Sequence, residues 1–125
     1  MVVWDLDKFN SNKPKDYEAN YISKFLSFLD RQKDDAEIIY DEAKDQLSEQ
    51  LDFVILEKKS SSNCSVAEAK LLATNDERYM KAKKEYRDKK KIFLYWKSLA
   101  KNGHSHCDHL KQQNINQLAI DKLSR

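Results

Sequence analysis

From Ile22 to Val54, apolar residues return at steps of three or four: Ile22, Phe25, Leu29, Ala36, Ile39, Ala43, Leu47, Leu51 and Val54, with one gap at Gln32. Successive residues of an α-helix are about 100° apart, so this spacing gathers nine side chains on one face. A strand would need a period of two. The stripe predicts one long amphipathic helix over residues 14–57, roughly 60 Å at 1.5 Å per residue. A helix that long cannot bury its apolar face inside a compact monomer of 125 residues. It needs a second helix, or another copy of the chain, along its length. The polar run "DRQKDD" is the one place where it can break.

The rest of the chain agrees with a helical reading. One Gly, one Pro and 35% charged residues argue against sheets, barrels and glycine-rich phosphate loops. No apolar run approaches the roughly 20 residues that span a bilayer. The opening "MVVWDLDKFN" is acidic where a secretory signal is basic, which points to the cytoplasm and to reduced thiols at Cys64 and Cys107.

Residues 1–13 read as an irregular arm, and Pro14 suits a first helical turn. After the acidic helix, residues 58–65 ("KKSSSNCS") form a loop. Ser65 with Glu68, and Thr74 with Glu77, match the capping box, in which each side chain satisfies the other residue's free N–H. They predict a short helix over residues 66–73 and a long basic helix over 75–102. Asn102-Gly103 can end that helix in a left-handed cap, with a C-terminal helix over 105–123. The fold class is all-α: long amphipathic helices in an antiparallel hairpin or bundle, completed by homo-oligomerisation. Tyr17, Tyr21, Phe25, Phe28, Tyr86, Phe93 and Trp96 are the candidate subunit or partner contacts, because interfaces are rich in aromatic residues. Core packing is the alternative use for them. Trp4 and Phe9 give the arm a reason to dock on a neighbouring subunit.

Charge divides the chain. Residues 1–57 carry 7 Lys/Arg against 14 Asp/Glu, whereas residues 58–125 carry 16 against 7. Either the basic half meets an anionic partner, or the two halves neutralise each other. On a helix, Lys83, Arg87, Lys90, Lys97 and Lys101 fall within roughly 40° of one line, with Lys84 and Lys91 on its flank. Such a ridge suits a phosphate backbone, bound by counterion release rather than base reading. Tyr95 offers a ring on which a base can stack. The expected ligand is single-stranded DNA, without sequence preference.

The segment "LATNDERYMKAKKEYRDKKKIFLYWKSLAKNGHSHCDHLKQQNINQLAI" resembles the C-terminal half of the UvsY recombination mediators of T-even-like bacteriophages. The shared features are the "LAT-ND" opening, Tyr95-Trp96 in mid-helix, and Asp108 with Lys111. "YEANYISKFLSFLD", followed by a long charged helix ending in "LDFV", is similar to the N-terminal half. The resemblance covers residues 15–120. It implies a ring-like homo-oligomer without a catalytic site or cofactor. Such a protein binds single-stranded DNA, weakens the hold of the single-strand-binding protein, and helps load the recombinase in the host-cell cytoplasm. The family has basic residues before its Leu-Asp-aromatic segment, where this chain has Ser48, Glu49 and Gln50 before Leu51-Asp52-Phe53. DNA contact would then shift to the later helix or to Lys58 and Lys59. The competing reading is a helical interaction protein, such as an inhibitor of a host defence nuclease or a regulatory adaptor. Its acidic face would run through Asp34, Asp35, Glu37, Asp41, Glu42 and Asp45.

The stretch "HSHCDH" holds all three histidines. A metal site would draw on His104, His106, Cys107 and His109. On a continuous helix His106 and His109 share one face and His104 and Asp108 another, so at most two strong ligands converge where closed structural zinc needs four. The expectation is therefore no metal. A Cys–His nucleophile is not expected either, since no oxyanion loop accompanies it.

Overall fold

The computed structural model describes residues 4–124. Among the described residues four helices follow one another: α1 Leu6–Asn12, α2 Ala19–Ser62, α3 Val66–Thr74 and α4 Glu77–Leu123. Among the described residues there is no strand, and no helix is long and apolar enough to cross a membrane. The two long helices α2 and α4 pack against each other. The chain divides into two compact units, Met1–Asp35 with Leu94–Arg125, and Ala36–Phe93.

Local chemistry sets the helix ends. Asp5 accepts the Lys8 N–H at 2.7 Å and starts α1 inside what the sequence presents as an irregular arm. The next helix begins at Ala19 rather than Pro14, because the Glu18 carboxylate accepts the Asn20 and Tyr21 N–H groups at 3.1 and 2.6 Å. It runs unbroken through "DRQKDD", burying Gln32 in the apolar stripe. Asn63, at φ 48°, takes the left-handed conformation that Asn tolerates, just past the end of α2. Ser65 caps α3 as expected, accepting the Glu68 N–H at 3.2 Å. Thr74 does not cap α4. Its hydroxyl bonds back to the Leu71 carbonyl at 2.9 Å, and Asp76 accepts the Arg78 N–H instead.

The unit Met1–Asp35 with Leu94–Arg125 is built on aromatic residues. Trp96 is fully buried; Phe28 meets it edge-on at 6.1 Å and Trp4 stacks on Phe28 at 4.7 Å. Phe9 of α1 lies against Phe25 at 6.0 Å. The arm thus packs on its own chain. The Tyr95 hydroxyl donates to the Trp4 carbonyl, and the Tyr21 hydroxyl to that of Asn12.

No break occurs at Asn102-Gly103, so the two expected C-terminal helices are one. Gly103 is buried, and a Cβ there would lie 2.4 Å from Leu29 Cδ1 and 3.2 Å from Phe25 Cε1. The glycine serves close approach of α2 and α4, not a cap. Substituting Gly103→Ala gains about 1 kcal/mol of helix propensity but forces overpacking that costs about 1–3 kcal/mol. Leu29 is itself fully buried and has little room to give. Chemical denaturation should show a net loss of about 1 kcal/mol, with no loss for the exposed Asn102→Ala.

The unit Ala36–Phe93 is antiparallel: Tyr40 of α2 meets Tyr86 and Phe93 of α4, while Glu57 meets Arg78. Small residues make the tight contacts, with Ala36, Ala43, Val54, Ala69 and Ala73 buried. Tyr40 stacks on Phe93 at 5.5 Å, and its hydroxyl lies 3.2 Å from that of Tyr86.

At the turn end of this unit, the Arg78 guanidinium forks onto both Glu57 oxygens at 2.8 Å and onto Asp76 at 3.0 Å. Lys58 reaches Asp76 at 3.4 Å. Hydrogen bonds from Arg78 hold the Asp76 carboxyl well below the usual aspartate range and lower Glu57 too. Both carboxylates have lowered folded pKa values, so their contribution is whole above the unfolded values of about 4. It fades as pH falls through the lowered values. Amide protection around residues 57–62 and 75–81, taken relative to intrinsic exchange at each pH, should fall progressively below about pH 4. Asp76→Asn should speed exchange there at neutral pH and flatten that acid response.

Candidate nucleic-acid interface

On α4, within the unit Ala36–Phe93, Lys84, Arg87, Lys90 and Lys91 are exposed. Among the described residues, ion pairs join Lys33 to Asp34, Lys58 to Asp76, Arg78 to Glu57 and Asp76, and His104 to Asp30. None of those four cations takes part. Lys83 is half-buried, its ammonium 5.9 Å from the Tyr79 ring centroid. At about 100° per residue, Lys83, Arg87 and Lys90 span roughly 60° of the helix. They lie beside the face that carries Tyr86 and Phe93 into the core.

The other predicted contacts are placed differently. Lys97 and Lys101 are exposed on the part of α4 that belongs to the unit with the arm. Tyr95 belongs there too, with its hydroxyl committed to Trp4. Lys58 is occupied by Asp76, whereas Lys59 is exposed. Of the candidate interface aromatics, Phe25 and Trp96 are buried, and Phe28, Tyr86 and Phe93 are half-buried within their own units. Tyr17 and Tyr21 remain exposed.

No simple sequence signal marks a groove of about 550 Å³ in the unit Ala36–Phe93. Gln46, Gln50 and Phe53 line it from α2, and Arg78, Lys81 and Glu85 from α4. Its α4 residues lie on the opposite flank of the core from Lys83, Arg87 and Lys90. Glu49 and Glu85 offset its two cations, so the groove holds no net attraction for phosphate.

The histidines separate. His104 Nε2 lies 3.0 and 3.1 Å from the Asp30 carboxylate oxygens, and His106 Nε2 donates to the Pro14 carbonyl at 2.5 Å. His109 is exposed. Cys107 is buried, and that burial pushes its thiol pKa up, away from the reactive thiolate. Among the described residues no three or more His, Cys, Asp or Glu side chains are grouped to hold a metal ion.

Comparison with protein-family models, curated proteins and solved structures returned no match to this chain. The surface of the chain carries an exposed cationic ridge on α4 and exposed carboxylates on α2: Asp34, Asp35, Glu37, Asp41, Glu42 and Asp45.

Proposed function

We propose that the chain is a non-enzymatic, single-stranded DNA-binding accessory protein of phage-type homologous recombination. One observation carries the binding: Lys84, Arg87, Lys90 and Lys91 stand exposed on α4 without an ion pair among the described residues. Cations held by carboxylates would have to give those up before meeting phosphate; these do not. A helical ridge of charge has no means of reading base edges, so binding is sequence-tolerant and depends on salt. The recombination role rests on the resemblance of residues 15–120 to the UvsY mediators. It brings the recombinase and the single-strand-binding protein as partners, a homo-oligomer as the working form, and the host-cell cytoplasm as the location.

Gel-shift titration with single strands and duplexes of equal length tests this reading. The expected result is a shift with several unrelated single strands, weakened by salt. Failure to shift any of them removes the DNA role.

A second reading has its own observation. Six exposed carboxylates between Asp34 and Asp45 present an anionic face on α2. An adaptor or nuclease inhibitor would use that face against a basic protein groove. In that case no oligonucleotide shifts, and a protein partner co-purifies with the chain.

A further inference from the structure

The groove of about 550 Å³ in the unit Ala36–Phe93 has the volume of a site for a nucleoside-sized ligand. Its chemistry narrows what can fill it. Of the lining residues only Phe53 and Ala82 are apolar, which excludes a fatty ligand. Glu49 and Glu85 offset Arg78 and Lys81, which excludes a ligand held mainly by its charge. A flat, uncharged ring with polar edges remains. Phe53 is 56% exposed, and the Arg78 guanidinium, fixed by Glu57 and Asp76, stands 5.8 Å from its ring centroid. The ring is thus oriented, yet open to stacking. On α2, Gln46 and Gln50 fall within about 60° of Phe53. Gln50 lies about 4.5 Å along the axis from Phe53, and Gln46 about 6 Å further. On α4, Glu85 shares one line with Arg78, since seven residues bring a helix round to within about 20°. Gln46, Gln50 and Glu85 make no side-chain hydrogen bond or ion pair among the described residues. Gln50 is half-buried, so its amide has lost part of its water without gaining a partner.

We propose that this groove binds a nucleobase carrying an exocyclic amino group, stacked on Phe53 with its edge against Gln50 and Glu85. Every base has a π-face, so an exposed ring attracts it without charge. The Gln50 amide donates and accepts side by side, the pattern that meets the amino group and the neighbouring ring nitrogen of adenine. An ionised carboxylate only accepts. Glu85 therefore takes the second amino proton of adenine or cytosine and repels the carbonyl edge of uracil. Gln46, one turn further along α2, is placed for the sugar hydroxyls. The site lies on the opposite flank of the core from Lys83, Arg87 and Lys90, needs no phosphate, and does not rest on the DNA reading.

NMR titration of the full chain with adenosine, cytidine and uridine tests this. Adenosine and cytidine should bind with a Kd of about 1 mM or below, shifting amides on the two walls of the groove. Uridine should bind at least about fivefold more weakly, because it brings no amino group to Glu85. Phe53→Leu keeps an apolar side chain but removes the ring, and should weaken adenosine about tenfold. Glu85→Gln should erase most of the preference over uridine, since an amide can turn to donate. Reversing Lys84, Arg87 and Lys90 to Glu should leave adenosine binding unchanged. The inference is overturned if adenosine gives no saturable shift or shifts only amides outside the groove. It is equally overturned if uridine binds as well as adenosine, or if Phe53→Leu leaves the affinity as it was. No oligonucleotide enters the titration, so its failure leaves the gel-shift result standing, and failure of the gel shift leaves this one.

Discussion

Replacing Lys84, Arg87 and Lys90 together by Glu should lower single-strand affinity by at least about 100-fold while leaving the fold intact. The estimate comes from counterion release. For single strands the slope of log affinity against log salt is about −0.7 for each phosphate neutralised. If Lys83, Lys84, Arg87, Lys90 and Lys91 each engage one phosphate, the slope is about −3.5, and raising salt from 50 to 200 mM costs roughly 100-fold. The triple reversal removes three of those contacts and sets three carboxylates beside the remaining two lysines, so the loss should be no smaller. All three positions are exposed, and none makes an ion pair among the described residues. Surface changes of that kind usually alter stability by about 0.5 kcal/mol or less. Reversing Lys8 and Lys24, exposed on α1 and α2, should change affinity only a few-fold. Fluorescence anisotropy across a salt series checks both the magnitude and the slope. A triple variant that binds as wild type does, or a wild-type slope near zero, would remove the cationic ridge from the account.

What the sequence disclosed followed from how local the cause was. The stripe from Ile22 to Val54 placed α2 because helical periodicity is written into neighbouring residues. Ser65 announced α3 because a cap is settled within four residues. Thr74 carried the same signal and was overruled. Its hydroxyl found the Leu71 carbonyl of the preceding turn, and the neighbouring Asp76 took the cap. Gly103 misled for a different reason. A glycine that ends a helix and a glycine that admits a neighbour look alike in sequence, and only Leu29, more than seventy positions away, tells them apart. The arm posed the same difficulty. Its apolar character was plain at Trp4 and Phe9, but its docking place, Phe25, Phe28 and Trp96, is assembled from distant segments. As for the candidate site, the angular arrangement of Lys83, Arg87 and Lys90 was legible because one helix carries all three. The commitment of Tyr95 to Trp4 and of Lys58 to Asp76 was not, since each depends on what another segment brings.

Truncating Trp96 should cost more stability than any other single change in the aromatic core. Its side chain is fully buried, with ring centroids of Trp4, Phe28 and Tyr95 at 6.2, 6.1 and 6.0 Å. Phe or Trp to Ala in such a position typically costs about 3–5 kcal/mol, because a large cavity opens that neighbouring rings cannot fill. The indole N–H makes the site more informative than its size suggests. It is buried and has no hydrogen-bond partner among the described residues. An unsatisfied buried donor carries a desolvation penalty of about 1–3 kcal/mol. Trp96→Phe removes that penalty along with the five-membered ring, so the lost packing and the relieved donor oppose each other. The expected loss for Trp96→Phe is about 1 kcal/mol, several-fold less than for Trp96→Ala. Urea denaturation followed by circular dichroism separates the two values. Trp4→Ala should fall between them, since Trp4 is nearly as buried but stands before α1, where the arm can shift to relieve the gap. Removing Trp4 and Trp96 together should then cost less than the two separate losses combined, by more than about 0.5 kcal/mol, because the rings pack in one cluster. Equal losses for the Phe and Ala variants would mean that a benzene ring cannot take the place of the indole, and that the shape of the bicycle, rather than its buried area, holds the arm to α2 and α4.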